Sequence, residues 1–275
     1  MQTMNIVFIG GGNMASSLIG GLIADGFGAR HITVVEINAD KRRLLSQRFG
    51  IQVTETLDGT INNADVVTFC IKPQQFREVA QASAREIKAR NPLLISVAAG
   101  IRTVDMAHWL GGTFAIVRAM SNTPALVQTG ASALFANANV SDEQRNQAES
   151  LLRAVGIVEW IDDEELMDVV TALSGSGPAY FFRIMEGMVK AAEQLGLKKD
   201  VAHLLTIQTA LGAAKMALES EEDIATLREQ VTSPGGTTEQ GLKTMNDNNI
   251  DQLLLDVLKA AQQRATELAD QLGGS

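Results

Sequence analysis

Two short stretches carry residue types that could bind anions, and more than two hundred residues separate them. The first stretch is Ile9, Gly10, Gly11, Gly12, Asn13, Met14 and Ala15, which joins an apolar run to a helical pattern. A strand, a glycine turn and a helix in this order are the parts of a dinucleotide site. The glycines permit a tight turn and a close approach of pyrophosphate, and the small Ala15 lets the helix pack against the strand. Free N–H groups at the start of that helix would then bind the phosphates.

The second stretch is the loop Ser233, Pro234, Gly235, Gly236, Thr237 and Thr238, which lies between two helical patterns. Pro-Gly-Gly is a strong turn signal, so one interpretation is a plain loop whose hydroxyls cap the next helix. The other is an anion cradle made of the glycine N–H groups, the Ser233 and Thr237 hydroxyls and a helix N-terminus. Such a cradle suits a small carboxylate, and it contains no His, Asp or Glu that could act as a general base.

One acidic residue bears on the type of dinucleotide. Glu36 ends a predicted strand and follows Gly12 by 24 residues, close to the spacing at which an acid binds the adenosine ribose hydroxyls. The alternative is an ordinary carboxylate at the end of a strand. The basic run 41–43 could meet a 2′-phosphate, but the solvated face of a helix at residues 38–49 is the favoured interpretation. The cofactor is therefore NADPH or NADH, and these two signals point in opposite directions.

Two further stretches lie at the carboxyl ends of predicted parallel strands, where α/β sheets bind ligands. Ile71-Lys72-Pro73 ends a strongly apolar strand, because Pro73 cannot continue a ladder but can start a helix. Ala98-Ala99-Gly100 follows the next strand, where small residues either let a flat ring lie close to the backbone or simply make a tight turn. The polar turn Ser121-Asn122-Thr123-Pro124 lies at the end of another strand.

The elements that must position these residues fall into two groups. Strand and helix patterns alternate up to Trp160, which predicts an α/β fold with a Rossmann-type, mostly parallel sheet in residues 1–162. Residues 163–275 lack strand patterns and are predicted to form an all-helical domain. The helix at residues 201–218 is apolar over most of its circumference and must be buried, so we expect a homodimer built on these helices.

Composition excludes several classes of protein. The net charge is −9 and no basic block is present, so we expect no nucleic-acid partner. Cys70 is the single cysteine and the three histidines stand far apart, so neither a metal site nor a Ser–His–Asp arrangement is indicated. We see no secretory signal and no apolar stretch that we judge long enough to span a bilayer. These features favour a cytoplasmic protein without a membrane partner.

Six stretches, taken together and in this order, resemble pyrroline-5-carboxylate reductase, the last enzyme of proline synthesis. The resemblance covers almost the whole chain, and its last two stretches are the most specific. They are residues 9–15, 71–73, 98–100, 120–124, Leu173-Ser174-Gly175-Ser176-Gly177-Pro178-Ala179-Tyr180 and 233–238. The resemblance implies a C-terminal helical domain that dimerises by interlocking helices, and an active site between the sheet of one subunit and the helices of its partner.

The resemblance also implies a reaction. Hydride passes from the nicotinamide to the imine carbon of pyrroline-5-carboxylate, and the ring nitrogen takes a proton. By resemblance, residues 233–237 hold the substrate carboxylate, Asn122 contributes to substrate binding, and the Thr238 hydroxyl bonds the ring nitrogen. The chain departs from the family at Ser121, where proline is frequent, and at Glu36, where a non-acidic residue is frequent. The second departure puts a preference for NADPH in doubt.

Two other functions compete with this one. A β-hydroxyacid dehydrogenase shares the architecture but places a catalytic Lys in the helical domain, with an Asn one turn later. Here Lys190 is followed at that spacing by Gln194 and Lys215 by Glu219, so neither pair matches. A non-catalytic nucleotide-binding scaffold is the other alternative, and the intact loop at residues 233–238 argues against it.

Overall fold

The computed structural model describes residues 4–274, which divide into two compact units. The first unit contains the chain up to Ser176 together with the residues from Ala260 onward, and the second unit is Gly177–Lys259. This division differs from the boundary predicted at residue 162, because the end of the chain packs with the first unit. The reason is a set of long-range bonds, such as that from Arg102 to Asp270, with 2.7 Å between guanidinium nitrogen and carboxylate oxygen.

The first unit is built on an eight-stranded sheet in which every neighbouring pair is parallel except one. The strand order is β3-β2-β1-β4-β5-β6-β7-β8, and the β6–β7 pair is antiparallel. The strands are β1 (Ile6–Ile9), β2 (Ile32–Val35), β3 (Gln52–Thr54), β4 (Val66–Phe69), β5 (Leu93–Ser96), β6 (Ile116–Met120), β7 (Gly130–Ala136) and β8 (Gly156–Trp160). The predicted mostly parallel Rossmann-type sheet is confirmed.

Helices cover both faces of this sheet and create an apolar core on each side. Along β1, Ile6 and Phe8 belong to one buried cluster while Val7 and Ile9 belong to the other, since successive side chains point to opposite faces. The helices of this unit are α1 (Asn13–Ala24), α2 (Ala39–Phe49), α3 (Pro73–Arg90), α4 (Thr103–Leu110), α5 (Asp142–Arg153) and α6 (Leu166–Val170). A π-helical turn, Thr171–Gly175, follows α6.

A buried ion-pair network joins the sheet of the first unit to α6 and to the end of the chain. Arg118 on β6 is 3% exposed, and its guanidinium nitrogens lie 3.3 Å from an oxygen of Asp168 and 3.5 Å from an oxygen of Glu164. The Thr266 hydroxyl donates to the other Asp168 oxygen at 2.9 Å. This network explains why the C-terminal residues pack with the first unit.

The second unit consists of helices whose apolar faces are largely exposed in one chain. They are α7 (Gly177–Gln194), α8 (Lys199–Glu219), α9 (Ile224–Gln230), α10 (Thr237–Asp247) and the first part of α11 (Ile250–Gly273). The α8 helix was predicted to be covered in part by a second subunit, and in the described single chain Ala202 and Thr206 are its only buried residues. Leu204, Leu211 and Leu218 of the same helix are exposed.

The α8 helix also bears on the expectation that no stretch spans a membrane. Among residues 4–274, α8 is the one helix that is long and apolar enough to cross a bilayer by length and composition alone, with a mean hydropathy of 1.2. The α8 helix contains no long unbroken apolar run, because charged residues lie near both of its ends and polar residues are scattered between them. Length and composition do not separate a membrane span from a helix that packs against another subunit.

Candidate functional site

The fold brings the predicted cofactor-binding stretches of the first unit to one edge of the sheet. Strands β2, β1, β4 and β5 are neighbours and run parallel. Their carboxyl ends lead into Glu36, the glycine turn after Ile9, Ile71-Lys72-Pro73 and Ala98-Ala99-Gly100. Carboxyl ends of parallel strands are where open α/β sheets bind ligands.

Gly10 makes the turn that leaves β1, and its backbone requires glycine. Its φ is +99°, and its N–H donates to the Val35 carbonyl at 2.8 Å. A Cβ at this position would lie 2.5 Å from the Cys70 carbonyl oxygen. The backbone that follows β4 therefore leaves no room for a side chain at Gly10, and the turn directs the chain into α1.

The start of α1 has the features expected of a phosphate cradle. Gly12 is the N-cap, with extended backbone (φ −76°, ψ −170°) and no side-chain cap. No described atom lies within 4 Å of the position that a Cβ of Gly12 would take. The N–H groups of Asn13 and Met14 belong to the first turn, which lacks intrahelical acceptors. The side chain of Ala15 is fully buried beneath the turn, so these residues fit a bound pyrophosphate.

Glu36 reaches across from the end of β2 to the glycine turn. Its side chain is 8% exposed, and its two carboxylate oxygens accept bonds from the Gly11 N–H at 2.9 Å and the Asn38 N–H at 2.8 Å. An open cleft of about 420 Å³ lies beside this arrangement, lined among others by Gly11, Gly12 and Lys41. The acid therefore lies at the turn, as a ribose-binding carboxylate should.

The strand ends after β4 and β5 are shaped by a proline and a glycine. Pro73 is the first residue of α3, as predicted, and Lys72 is its N-cap. Gly100 has φ +75°, and Ala98 is buried with its N–H donating to the Ser96 hydroxyl at 3.2 Å. Burial raises the pKa of the neighbouring Cys70 thiol, so this cysteine stays protonated and is not a thiolate nucleophile.

Asn122 follows β6, and both the nitrogen and the oxygen of its side-chain amide bond to the backbone. Its nitrogen donates to the Ser174 carbonyl at 3.1 Å, and its oxygen accepts from the Ala131 N–H at 3.0 Å. The side chain is 9% exposed. Asn122 therefore ties the π-helical turn to the start of β7, and the substrate contact implied by the resemblance stays a prediction.

In the second unit, the loop before α10 differs from the predicted cradle at its two glycines. The Gly235 N–H donates to the Glu239 carboxylate at 2.8 Å, and the Gly236 N–H donates to the Ser233 carbonyl at 2.9 Å. Both N–H groups are thus bonded within the loop, and their part in an anion cradle stays a prediction. Sequence reasoning missed Glu239, although an acid three residues after an N-cap commonly reaches back to the preceding backbone.

The donors left open in this loop lie at the start of α10. Gly236 is the N-cap, with extended backbone (φ −84°, ψ 173°) and no side-chain cap, which matches the conformation of Gly12 at α1. The hydroxyl-bearing residues Ser233, Thr237 and Thr238 are exposed around it. A helix N-terminus with surrounding hydroxyls can bind a small anion. In the described part of the chain no group of three or more His, Cys, Asp or Glu side chains could hold a metal ion.

Comparison with known proteins gives two family profiles and many full-length relatives. The profile described as "Pyrroline-5-carboxylate reductase dimerisation" matches residues 164–268, and the one described as "NADP oxidoreductase coenzyme F420-dependent" matches residues 5–100. A pyrroline-5-carboxylate reductase of Pseudomonas aeruginosa is 50% identical over 273 residues, which cover 99% of this chain and all of that protein.

Solved structures show the same similarity. A pyrroline-5-carboxylate reductase from Coxiella burnetii superposes with a TM-score of 0.94 at 47% identity and covers 97% of this chain and 98% of that one. A pyrroline carboxylate reductase of Plasmodium falciparum with NADP bound has a TM-score of 0.84 at 24% identity, covering 98% and 99% of the two chains. The dimerisation profile includes all of α8, whose exposed apolar residues indicate a homo-oligomer.

Proposed function

The chain belongs to the pyrroline-5-carboxylate reductase family, and we infer from this membership that it reduces the cyclic imine pyrroline-5-carboxylate to L-proline with NADH or NADPH. One observation within the chain supports this function above others. Two α-helices, α1 and α10, begin at glycine N-caps without side-chain caps. The reaction needs two anion sites, one for a pyrophosphate and one for a carboxylate.

The first unit binds the dinucleotide in this proposal. The Asn13 and Met14 N–H groups hold the pyrophosphate, and the Glu36 carboxylate accepts from the adenosine ribose. Residues 71–73 and 98–100 line the path of the nicotinamide half. When bound, the reduced nicotinamide supplies hydride to the imine carbon.

The loop before α10 binds the imine. The Ser233 and Thr237 hydroxyls and the open N–H groups of the helix hold the substrate carboxylate, while Gly235 and Gly236 set the turn. The Thr238 hydroxyl bonds the ring nitrogen and positions its proton. A protonated iminium is already electrophilic, so the chain needs no strong catalytic acid, and its contribution is mainly orientation.

The test is consumption of NADH and NADPH with pyrroline-5-carboxylate, followed for the wild type and for Thr238→Ala and Thr238→Ser. We expect Thr238→Ala to lower kcat at least tenfold, about 1.4 kcal/mol in the transition state, with an unchanged melting temperature. Thr238→Ser keeps the hydroxyl and is the matched control, so it should stay within about threefold of wild type. Unchanged turnover of the alanine variant would refute the role of the hydroxyl.

An assay for the oxidation of hydroxy acids distinguishes the proposed reductase from the competing enzyme class. A β-hydroxyacid dehydrogenase would oxidise hydroxy acids with NAD(P)+, which this chain should not do. Its candidate lysine, Lys190, lies in an ion pair with Glu186 one turn earlier on the same helix. Oxidation of hydroxy acids at rates comparable to imine reduction would contradict the proposal.

The oligomer is proposed to be a homodimer, or a larger assembly built from it, in the cytoplasm. The exposed apolar residues of α7 and α8, such as Phe181, Phe182 and Leu211, would be covered by the same helices of a second chain. Burial of this apolar surface favours association by about 25 cal/mol per Å² before the entropy cost of association is subtracted. Light scattering should give twice the 29.4 kDa mass of one chain, or a higher even multiple, and a monomer mass would refute the proposal.

A further inference from the structure

We propose that Glu36 makes this chain select NADH over NADPH by occupying the place where a 2′-phosphate would have to bind. The inference rests on the proposed function in taking the glycine turn as the dinucleotide site and Glu36 as the carboxylate at the adenosine ribose. It concerns the choice between NADH and NADPH, for which Glu36 and the basic run 41–43 give opposite signals in the sequence. It is carried by the contacts of Glu36 and of the basic residues that follow it.

The Glu36 carboxylate is held in place from two sides. One oxygen accepts from the Gly11 N–H at 2.9 Å and the other from the Asn38 N–H at 2.8 Å. The side chain also packs across the turn, since a Cβ on Gly11 would lie 3.3 Å from its Cβ and Cγ. Because both oxygens are bonded to backbone and the side chain is buried, rotation away from an arriving ligand would break two hydrogen bonds.

A fixed carboxylate treats the two dinucleotides differently. It can accept a hydrogen bond from the ribose 2′-hydroxyl of NADH through its remaining lone pairs. The 2′-phosphate of NADPH has no proton to donate when it is a dianion, and its negative charge is repelled at close range in a partly desolvated site. Acceptance of NADH and rejection of NADPH therefore follow from one side chain.

The two arginines of the run 41–43, which follow Glu36 in the chain, are already engaged. Arg42 donates to the Glu36 and Ile37 carbonyls at 2.7 and 2.8 Å and pairs with Glu55 at 2.9 Å. Arg43 pairs with Asp40 at 3.0 Å. Within residues 4–274 only Lys41 of the run 41–43 has no ion pair, and its exposed ammonium is screened by water.

The experiment is direct titration of NADH and NADPH by calorimetry, without substrate, on wild type, Glu36→Ala and Glu55→Gln. The wild type should bind NADH at least tenfold more tightly than NADPH. Glu36→Ala should reduce that ratio at least tenfold, because it removes the charge and frees the Gly11 and Asn38 N–H groups for a phosphate. The same change should appear in the ratio of kcat/KM values with pyrroline-5-carboxylate.

Glu55→Gln is the matched control. It removes the same unit of charge a short distance away and releases one nitrogen of Arg42, while leaving the bonds of Glu36 intact. Its NADH-to-NADPH ratio should stay within about threefold of wild type. A shift as large as that of Glu36→Ala would overturn the proposal, because general electrostatics or Arg42 would then decide the preference.

Two further outcomes keep the inference distinct from the proposed function. If Glu36→Ala has a much lower melting temperature than wild type, Glu36→Gln takes its place in the test. It keeps the side-chain volume, and it should shift the NADH-to-NADPH binding ratio in the same direction. A wild type that binds NADPH as tightly as NADH overturns the inference whatever the variants do. Failure to reduce pyrroline-5-carboxylate with either nucleotide would refute the proposed function, while the binding ratio would still decide the preference.

Discussion

Two glycines in one turn should respond to alanine in opposite ways, although they are two residues apart. Gly12 has a backbone conformation that any residue can adopt, and the space around its missing Cβ is open. Gly10 has φ +99°, and a Cβ there would lie 2.5 Å from the Cys70 carbonyl oxygen and 2.9 Å from Cγ2 of Ile71. Gly12→Ala should therefore impair cofactor binding alone, whereas Gly10→Ala should impair folding.

The magnitudes follow from these contacts. At Gly12 an alanine is a poorer N-cap by about 0.5–1 kcal/mol, but it restricts the unfolded chain by about 0.4–1 kcal/mol, so stability should change little. Its methyl group would occupy the path of the pyrophosphate and remove one or two charge-assisted hydrogen bonds, each worth about 1.5–3 kcal/mol. We expect a 10- to 100-fold rise in the Kd for NADH, on the order of 1.4–2.8 kcal/mol.

At Gly10 the left-handed backbone alone costs an alanine about 1–2 kcal/mol. The contact with the Cys70 carbonyl must also be relieved by moving β4 or the turn, which adds about 1–3 kcal/mol. Gly10→Ala should thus lose about 2–5 kcal/mol of stability, and its melting temperature should fall by several degrees.

Thermal unfolding by circular dichroism and calorimetric titration of NADH on the same preparations measure both effects. The reasoning about α1 fails if Gly12→Ala binds NADH as wild type does. The reasoning about the turn fails if Gly10→Ala has the same melting temperature as wild type, since the turn would then tolerate a side chain.

Two other predictions concern charged groups in the first unit. Arg118→Met should lower the free energy of unfolding in urea by about 3–5 kcal/mol, because it leaves the Asp168 and Glu164 carboxylates without their buried cation. Arg118→Lys keeps the positive charge and should lose less stability. Equal losses of stability in the two variants would contradict a role for the charge. Desolvation raises the pKa of Asp105, so this carboxyl contributes stability below its unfolded pKa that is lost as pH rises through its folded pKa. Asp105→Asn should therefore raise the melting temperature more at pH 7 than at pH 4, and a larger gain at pH 4 would contradict this sign.

Several parts of the fold and of the candidate site follow from local sequence. The alternation of apolar strands and helices up to Trp160 was enough to predict a mostly parallel sheet, because each pattern reflects burial within a few neighbouring residues. Gly10 and Pro73 mark a turn and a helix start through their own backbone restrictions. The same local signals placed three predicted cofactor-binding stretches at strand ends, and the sheet brings these ends together at one edge.

The remaining features depend on partners that are distant in sequence. Only the tertiary structure shows that Glu36 bonds the Gly11 N–H, that the amide of Asn122 is occupied by Ala131 and Ser174, and that the residues from Ala260 onward pack with the first unit. A side chain's type and position do not reveal which backbone group it will meet across a sheet. The sequence alone therefore determined the elements and the class of cofactor, whereas the selectivity proposed for Glu36 comes from the contacts that the fold creates.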